Sequence, residues 1–215
     1  MYEREPMIGA ATAPSSGGAA PTQTDSIPDL ALRSATICAA YLLARDAHRG
    51  PGHGGIEPSH PVAVAELLAA AGFGENEICA ALLQDTVEDT ALSIEQIEAS
   101  FGGDVSGLVA GLTEDSRIDR YPARKAEARA RAIQDRRVAA IYAADKLANT
   151  RRLLDDCECV EGERLDHYVK TLRLFFEQTP RLPFLPELSA ELTRLIDRDA
   201  GRVGAPTPAL RRGCS

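Results

Sequence analysis

Three acids and an amide crowd into the second half, QDTVED, of the stretch ENEICAALLQDTVEDT over 75–90. Ile78 and Leu82 open an apolar stripe at four-residue spacing, and continuing that stripe brings Asp85 and then Asp89. Glu88 falls three residues after Asp85 and four after Gln84. Gln84, Asp85, Glu88 and Asp89 therefore share one side of two helical turns. Carboxylates grouped in this way repel one another and lose hydration, so a cation or a set of hydrogen bonds must compensate. A solvated acidic end of a helix is the plainer alternative, although acids at a helix C-terminus oppose its dipole.

A second anomaly lies in RRVAAIYAADKLANTRRLL over 136–154. Ile141, Asp145, Asn149 and Arg152 fall on one line, and Asp145 interrupts a face whose neighbours Val138, Tyr142 and Leu153 read as buried. A satisfied core carboxylate is one explanation. A third contribution comes from the loop RGPGHGGIEPSHP, with His48 just before it and His53 and His60 within it; His60 stands directly before Pro61. Such histidines are often surface residues. Yet His60, Asp85 and Asp145 together offer an imidazole and two carboxylates, a donor set for a divalent metal of borderline-to-hard character such as Mn²⁺ or Fe²⁺. From Pro122 to Arg152 there are nine basic residues against three acidic ones, a local +6 in a chain of net charge −8. This run reads either as a helix face paired with acids elsewhere or as an anion site beside the metal, suited to the phosphates of a small nucleotide.

Those residues need a scaffold, and the rest of the chain predicts an all-α one. Ser26, Ile27, Pro28 and Asp29 offer a cap and a first-turn Pro to a helix over LALRSATICAAYLLARDAH, with Ala31, Ala35, Cys38, Leu42 and Arg45 as its stripe. A short helix over VAVAELLAAAG stops at Gly72, and a third runs from Glu75 to Thr90. Ser93 with Gln96 forms a capping box for a helix ending at Gly102, and Asp104 begins another. A long helix or helix pair follows over 122–154, then helices at about 162–178 and 186–199. Alternating β-branched strands are absent. The expectation is one bundle over 28–199 between a disordered tail at 1–27 and a flexible one at 200–215.

Composition narrows the partners. The chain has 215 residues, 44% hydrophobic and 26% charged, with 24 Lys plus Arg against 32 Asp plus Glu. Nucleic-acid polymers need a basic surface, so they are not expected partners. No apolar run approaches the length that spans a bilayer, and no membrane partner is expected. The five Cys are scattered, and Cys157 and Cys159 are too close to form a C-x-x-C pair. Reduced thiols and a cytoplasmic location are the expectation.

The pieces AHRG at 47–50, SHPVAVAELL at 59–68, AALLQDTVEDT at 80–90, FGGDVSGLVAGLTED at 101–115 and ADKLANTR at 144–151 resemble, in order and separation, the HD-domain metal phosphohydrolases. Within them the chain is similar to the RelA/SpoT-type alarmone hydrolases and their small single-domain relatives. The resemblance runs from about residue 30 to about 195. It implies a metal held by His60, by Gln84 and Asp85 at the pair that names the family, and by Asp145, with Mn²⁺ the first candidate. It implies that Glu88 and Asp89 activate and position the attacking water. It implies that Asn149, Arg164 and Tyr168 place the nucleoside, while Lys125 and Lys146 meet phosphate. The implied activity is removal of pyrophosphate from the 3′ position of a small nucleotide. This sequence departs from the family at Gln84, where a His is usual, and in the loop GPGHGGIEPSHP, which lacks the usual basic and aromatic residues. An amide oxygen is a weaker ligand than an imidazole nitrogen. Two readings therefore stand: an active phosphohydrolase, or a metal-poor relative that binds a nucleotide or protein without turnover.

Overall fold

The computed structural model describes residues 26–48, 59–156, 160 and 162–203, and these form helices with no strand among them. In order they are α1 (Ile27–Arg33), α2 (Ala35–Ala47), α3 (Ser59–Ala70), α4 (Glu75–Leu83), α5 (Thr86–Asp89), α6 (Ile94–Leu112), α7 (Tyr121–Ala132), α8 (Arg136–Asp155), α9 (Gly162–Gln178) and α10 (Leu185–Val203). The all-α expectation holds. Of the tails expected at 1–27 and 200–215, residues 1–25 and 204–215 lie outside the described residues, as do the loop with His53 and Glu57 and Cys157 and Cys159, whereas Ile27 is buried in α1 and α10 continues through 200–203.

The bundle is built around α8. Its run of small residues, Ala139, Ala140, Ala143, Ala144 and Ala148, lets neighbouring helices approach closely, and Ile141 and Leu147 fill the space between them. α8 packs against α3, α4, α6, α7, α9 and α10. Gly111 of α6 accepts Val138 of α8 so tightly that a Cβ there meets Val138 Cγ2 at 2.9 Å. On the far side, α4 is buried through Ile78–Leu83 and lies against α2, α3 and α6.

Three helix boundaries depart from the sequence expectation. The single helix expected before residue 48 is two, because Ser34 is extended (φ −129°, ψ 117°) and its side chain accepts from the Ile37 N–H to cap α2. The break resets the register, so the buried stripe of α2 is Ile37, Ala40 and Ala44, and Leu42 faces outward at 38% exposure. The third helix ends at Leu83, Gln84 and Asp85 form a turn, and α5 is a single turn beyond it. Thr86 Oγ1 donates to the Leu83 carbonyl at 2.7 Å and takes over the hydrogen bond that a continuous helix would supply there. The Ser93–Gln96 capping box forms as expected, but the chain bends through Gly102 (φ 84°) without ending the helix, a conformation that only Gly adopts cheaply. The 122–154 segment resolves to the pair α7 and α8, with Asp135 accepting from the Arg137 N–H at 2.7 Å as the second cap.

Candidate active site

The α4–α5 turn, α3, α8 and α9 converge on one cleft of about 500 Å³. All eleven site residues expected from the sequence line it: His60, Gln84, Asp85, Glu88, Asp89, Lys125, Asp145, Lys146, Asn149, Arg164 and Tyr168. The turn at Gln84–Asp85 explains how one short stretch serves two purposes. Gln84 sits at the floor, 5% exposed, while Glu88 and Asp89 stand exposed at the rim.

Asp145 is the organising group. Its Oδ1 lies 2.7 Å from His60 Nε2 and accepts from Asn149 Nδ2 at 3.0 Å, and its Oδ2 is bonded to Lys146 Nζ. Burial opposes ionisation of this carboxyl, but the Lys146 ammonium and His60 outweigh it and hold the pKa far below the usual range. Burial likewise opposes the charge on Lys146 and on His60, and Asp145 reverses both, so each pKa is raised. Asp85 lacks such a partner. Burial, and then the neighbouring Asp145 charge, push it up to about 6.

Asn149 Oδ1 accepts from Arg164 Nη2 at 3.3 Å, and Arg164 Nε donates to the Tyr168 hydroxyl at 3.1 Å. A single chain of hydrogen bonds thus runs from His60 and Asp145 to the aromatic wall of α9. At the rim, Glu88 Oε1 accepts from the Glu114 N–H at 2.7 Å. The Glu114 side chain in turn takes Arg124 Nε at 2.9 Å and Lys125 Nζ. Burial raises the Glu88 pKa; the Glu114 backbone bond and the Lys125 charge only partly offset this.

His60, Asp85 and Asp145, the donors expected from the sequence, all line the cleft. Among the described residues no three His, Cys, Asp or Glu side chains gather closely enough to hold an ion. His60 and Asp145 touch, and Asp85 faces the same cleft without joining them. The physical reason is visible at Asp145, whose two oxygens are already engaged by His60, Asn149 and Lys146. The donor chemistry nonetheless fits a divalent cation. Asp85 is a half-buried acid offset only in part by the charge of His60, and Gln84 Nε2 is a buried polar atom with no partner. Turning the Gln84 amide about its last bond exchanges that orphaned N–H for a carbonyl oxygen, which is a metal donor.

Sequence reasoning missed Glu114, Tyr121, Tyr142, Glu163 and His167, all of which line the cleft. Glu114 follows the apolar run of α6 and carries no spacing signal. His167 lies three residues after Arg164, and that helical spacing was the available clue. The reading of the basic run as an anion site is narrowed. Of its nine bases only Lys125 and Lys146 line the cleft. Arg137 pairs with Asp104 at 2.8 and 2.9 Å, Arg131 binds the Gly111 and Thr113 carbonyls, Arg151 pairs with Glu187, and Arg152 with Asp156 at 3.1 Å. His48 turns away, its Nδ1 lying 2.7 Å from the Ala44 carbonyl oxygen.

An HD-domain family model matches residues 35–175, from the start of α2 into α9. The chain belongs to the HD-domain family. This HD domain is 41% identical over 125 residues to the bifunctional (p)ppGpp synthase/hydrolase SpoT of Escherichia coli, a match covering 53% of this chain and 17% of the relative. It is 40% identical over 125 residues to a probable guanosine-3′,5′-bis(diphosphate) 3′-pyrophosphohydrolase of Synechocystis, covering 54% of this chain and 16% of the relative. The chain thus matches about one sixth of the length of these curated relatives. Among solved structures, a metazoan ortholog of SpoT described as hydrolysing ppGpp superposes with a TM-score of 0.63 at 28% identity. That superposition covers 75% of this chain and 95% of the ortholog. A Listeria monocytogenes protein superposes with a TM-score of 0.58 at 28% identity, over 64% of this chain and 99% of that one. The HD-domain fold therefore extends through α9, where Arg164, His167 and Tyr168 complete the cleft.

Proposed function

We propose that this HD domain hydrolyses a small phosphorylated nucleotide, releasing pyrophosphate from the 3′ position of a guanosine 3′,5′-bis(diphosphate)-like substrate. The observation that carries the reading is the hydrogen-bonded chain from the His60–Asp145 pair through Asn149 and Arg164 to Tyr168, on the same cleft as the Glu88–Asp89 rim. It supports the reading because side chains suited to holding a cation, taking a proton and stacking on a nucleoside share one pocket. The names of the relatives support the substrate class.

His60, Gln84, Asp85 and Asp145 are the residues that would hold a divalent ion, with Mn²⁺ the first candidate. When bound, such an ion supplies Lewis-acid polarisation of the phosphoryl group and a lowered pKa for water. The remaining steps belong to the chain's own residues. Glu88, tethered through Oε1, accepts the proton of the attacking water, and Asp89 holds that water in line. The water oxygen bonds to phosphorus as the bond to the 3′ oxygen breaks, and the proton that Glu88 took from the water ends on the leaving 3′ oxygen. Lys125 and Lys146 offset the charge that develops on the phosphoryl oxygens. Asn149, Arg164 and the Tyr168 ring hold the nucleoside.

The test is a hydrolysis screen with added Mn²⁺ over guanosine 3′,5′-bis(diphosphate), adenosine 3′-phosphates and a nicotinamide dinucleotide phosphate. The reading predicts pyrophosphate release from the first, reduced at least about 100-fold by Glu88→Gln. Tight nucleotide binding without turnover of any of these would replace it with the non-catalytic reading.

A further inference from the structure

Behind the cleft lies a buried pair that the proposed chemistry does not use. Arg129 of α7 is 8% exposed and His167 of α9 is 3% exposed, and Arg129 Nη1 stands 2.6 Å from His167 Nδ1. A guanidinium has only N–H donors, so His167 Nδ1 must accept and the ring proton must sit on Nε2. Thr171 does not compete, because its hydroxyl donates to the His167 carbonyl at 2.8 Å. Burial first, then the Lys146, Arg129 and Lys125 charges, push the His167 pKa down to about 2, so the ring is a neutral imidazole at any physiological pH.

His167 Nε2 is 3.5 Å from the hydroxyl oxygen of Tyr142, at the outer reach of a hydrogen bond. With the proton on Nε2, that oxygen is the acceptor, and Tyr142's own hydroxyl hydrogen is left to be donated elsewhere. Tyr142 is 5% exposed and lines the cleft, and among the described residues its hydroxyl makes no other hydrogen bond. A buried donor without a partner costs about 1–3 kcal/mol unless a ligand or water supplies one. The surroundings select the kind of acceptor. Lys146 Nζ lies 4.5 Å from the centre of the Tyr142 ring, and Lys125 shares the cleft wall. Both ammonium groups already pair with acids, Lys146 with Asp145 and Lys125 with Glu114, but each has three N–H donors, so a phosphate oxygen can join them in the cleft.

We propose that Tyr142 contacts the ligand directly, its hydroxyl donating to a phosphate oxygen, and that Arg129 and His167 are positioning residues that aim it. This deepens the reading of the cleft as a nucleotide site and rests on it. The Arg129 contact fixes the order of donors along Arg129–His167–Tyr142 and leaves the Tyr142 hydroxyl hydrogen for a group in the cleft that Tyr142 lines. Burial also pushes the Tyr142 pKa up to about 12, so the hydroxyl keeps its hydrogen.

Two measurements on the full chain test this. Long-range ¹H–¹⁵N spectra of the wild type at neutral pH should show His167 as a neutral ring protonated on Nε2. A proton on Nδ1, or an imidazolium, would overturn the proposal. Calorimetric titration with inorganic pyrophosphate should show binding weakened about tenfold in Tyr142→Phe, which keeps the ring and its packing. In the hydrolysis assay the same variant should raise KM more than it lowers kcat. Pyrophosphate binding equal in the variant and the wild type would also overturn it. Both expected results together with no hydrolysis of any nucleotide would count against the proposed function alone.

Discussion

Gln84 is the residue on which the chemistry of the cleft turns. It occupies the floor beside Asp85, and its amide nitrogen has no partner there. An imidazole at this place would give a stronger ligand and a countercharge for Asp85. Gln84→His should therefore raise the Mn²⁺ retained after gel filtration and the hydrolysis rate together; unchanged metal content and rate would contradict this account of the floor. Glu88 makes a second prediction. Burial raises its pKa, and a general base works only when ionised, so the acid limb of kcat should lie above the ordinary glutamate value of 4.5. The Lys125 charge lowers that pKa, so Lys125→Met should move the limb to higher pH at saturating substrate. A limb that stays in place, or moves down, would remove Glu88 from the role of base.

Among the elements, α8 bears the largest share of the core, and it lines the cleft with four residues, as α9 does. Gly111 on α6 approaches α8 closely, and Val138 has no flexible end with which to yield. Gly111→Ala should destabilise the fold by about 1–3 kcal/mol, read as a lower urea midpoint with an unchanged slope. The same helix shows what could be read from sequence. The four-residue step from Ile141 to Asp145 to Asn149 placed a carboxylate and an amide on one line, and that line faces the cleft. The breaks at Ser34 and at Gln84–Asp85 were illegible, because each depends on a side chain choosing a local backbone partner over helix continuation, a choice decided by packing. The Arg129–His167 contact was hidden for a different reason. Its members are 38 residues apart on separate helices, and neither interrupts an apolar pattern.

At the scale of the whole molecule, charge distribution links stability to pH. The unfolded chain protonates His167 near 6.5, whereas the folded chain resists protonation down to about 2. Its contribution to stability is complete above pH 6.5 and is lost as pH falls below that, with a slope approaching about 1.4 kcal/mol per pH unit. His60 acts in the opposite sense, because its pKa is raised on folding. The difference between the wild type and His167→Gln isolates the first effect: urea midpoints of the variant should fall less steeply between pH 6.5 and about 4. Parallel curves would show that His167 is not held neutral. Among the described residues no helix is long and apolar enough to cross a membrane. The local excess of positive charge seen in the sequence is mostly spent on ion pairs and backbone contacts that tie helices together, such as Arg137–Asp104 and Arg151–Glu187.

We propose that the side chains at 60, 84, 85 and 145, distant in sequence, share one divalent ion. Electron paramagnetic resonance titration of the full chain with Mn²⁺ tests it most directly. The account predicts saturation at one ion per chain, loss of that site in Asp145→Asn, and tighter binding in Gln84→His. A titration with no saturable site, or one that Asp145→Asn leaves unaltered, would contradict it.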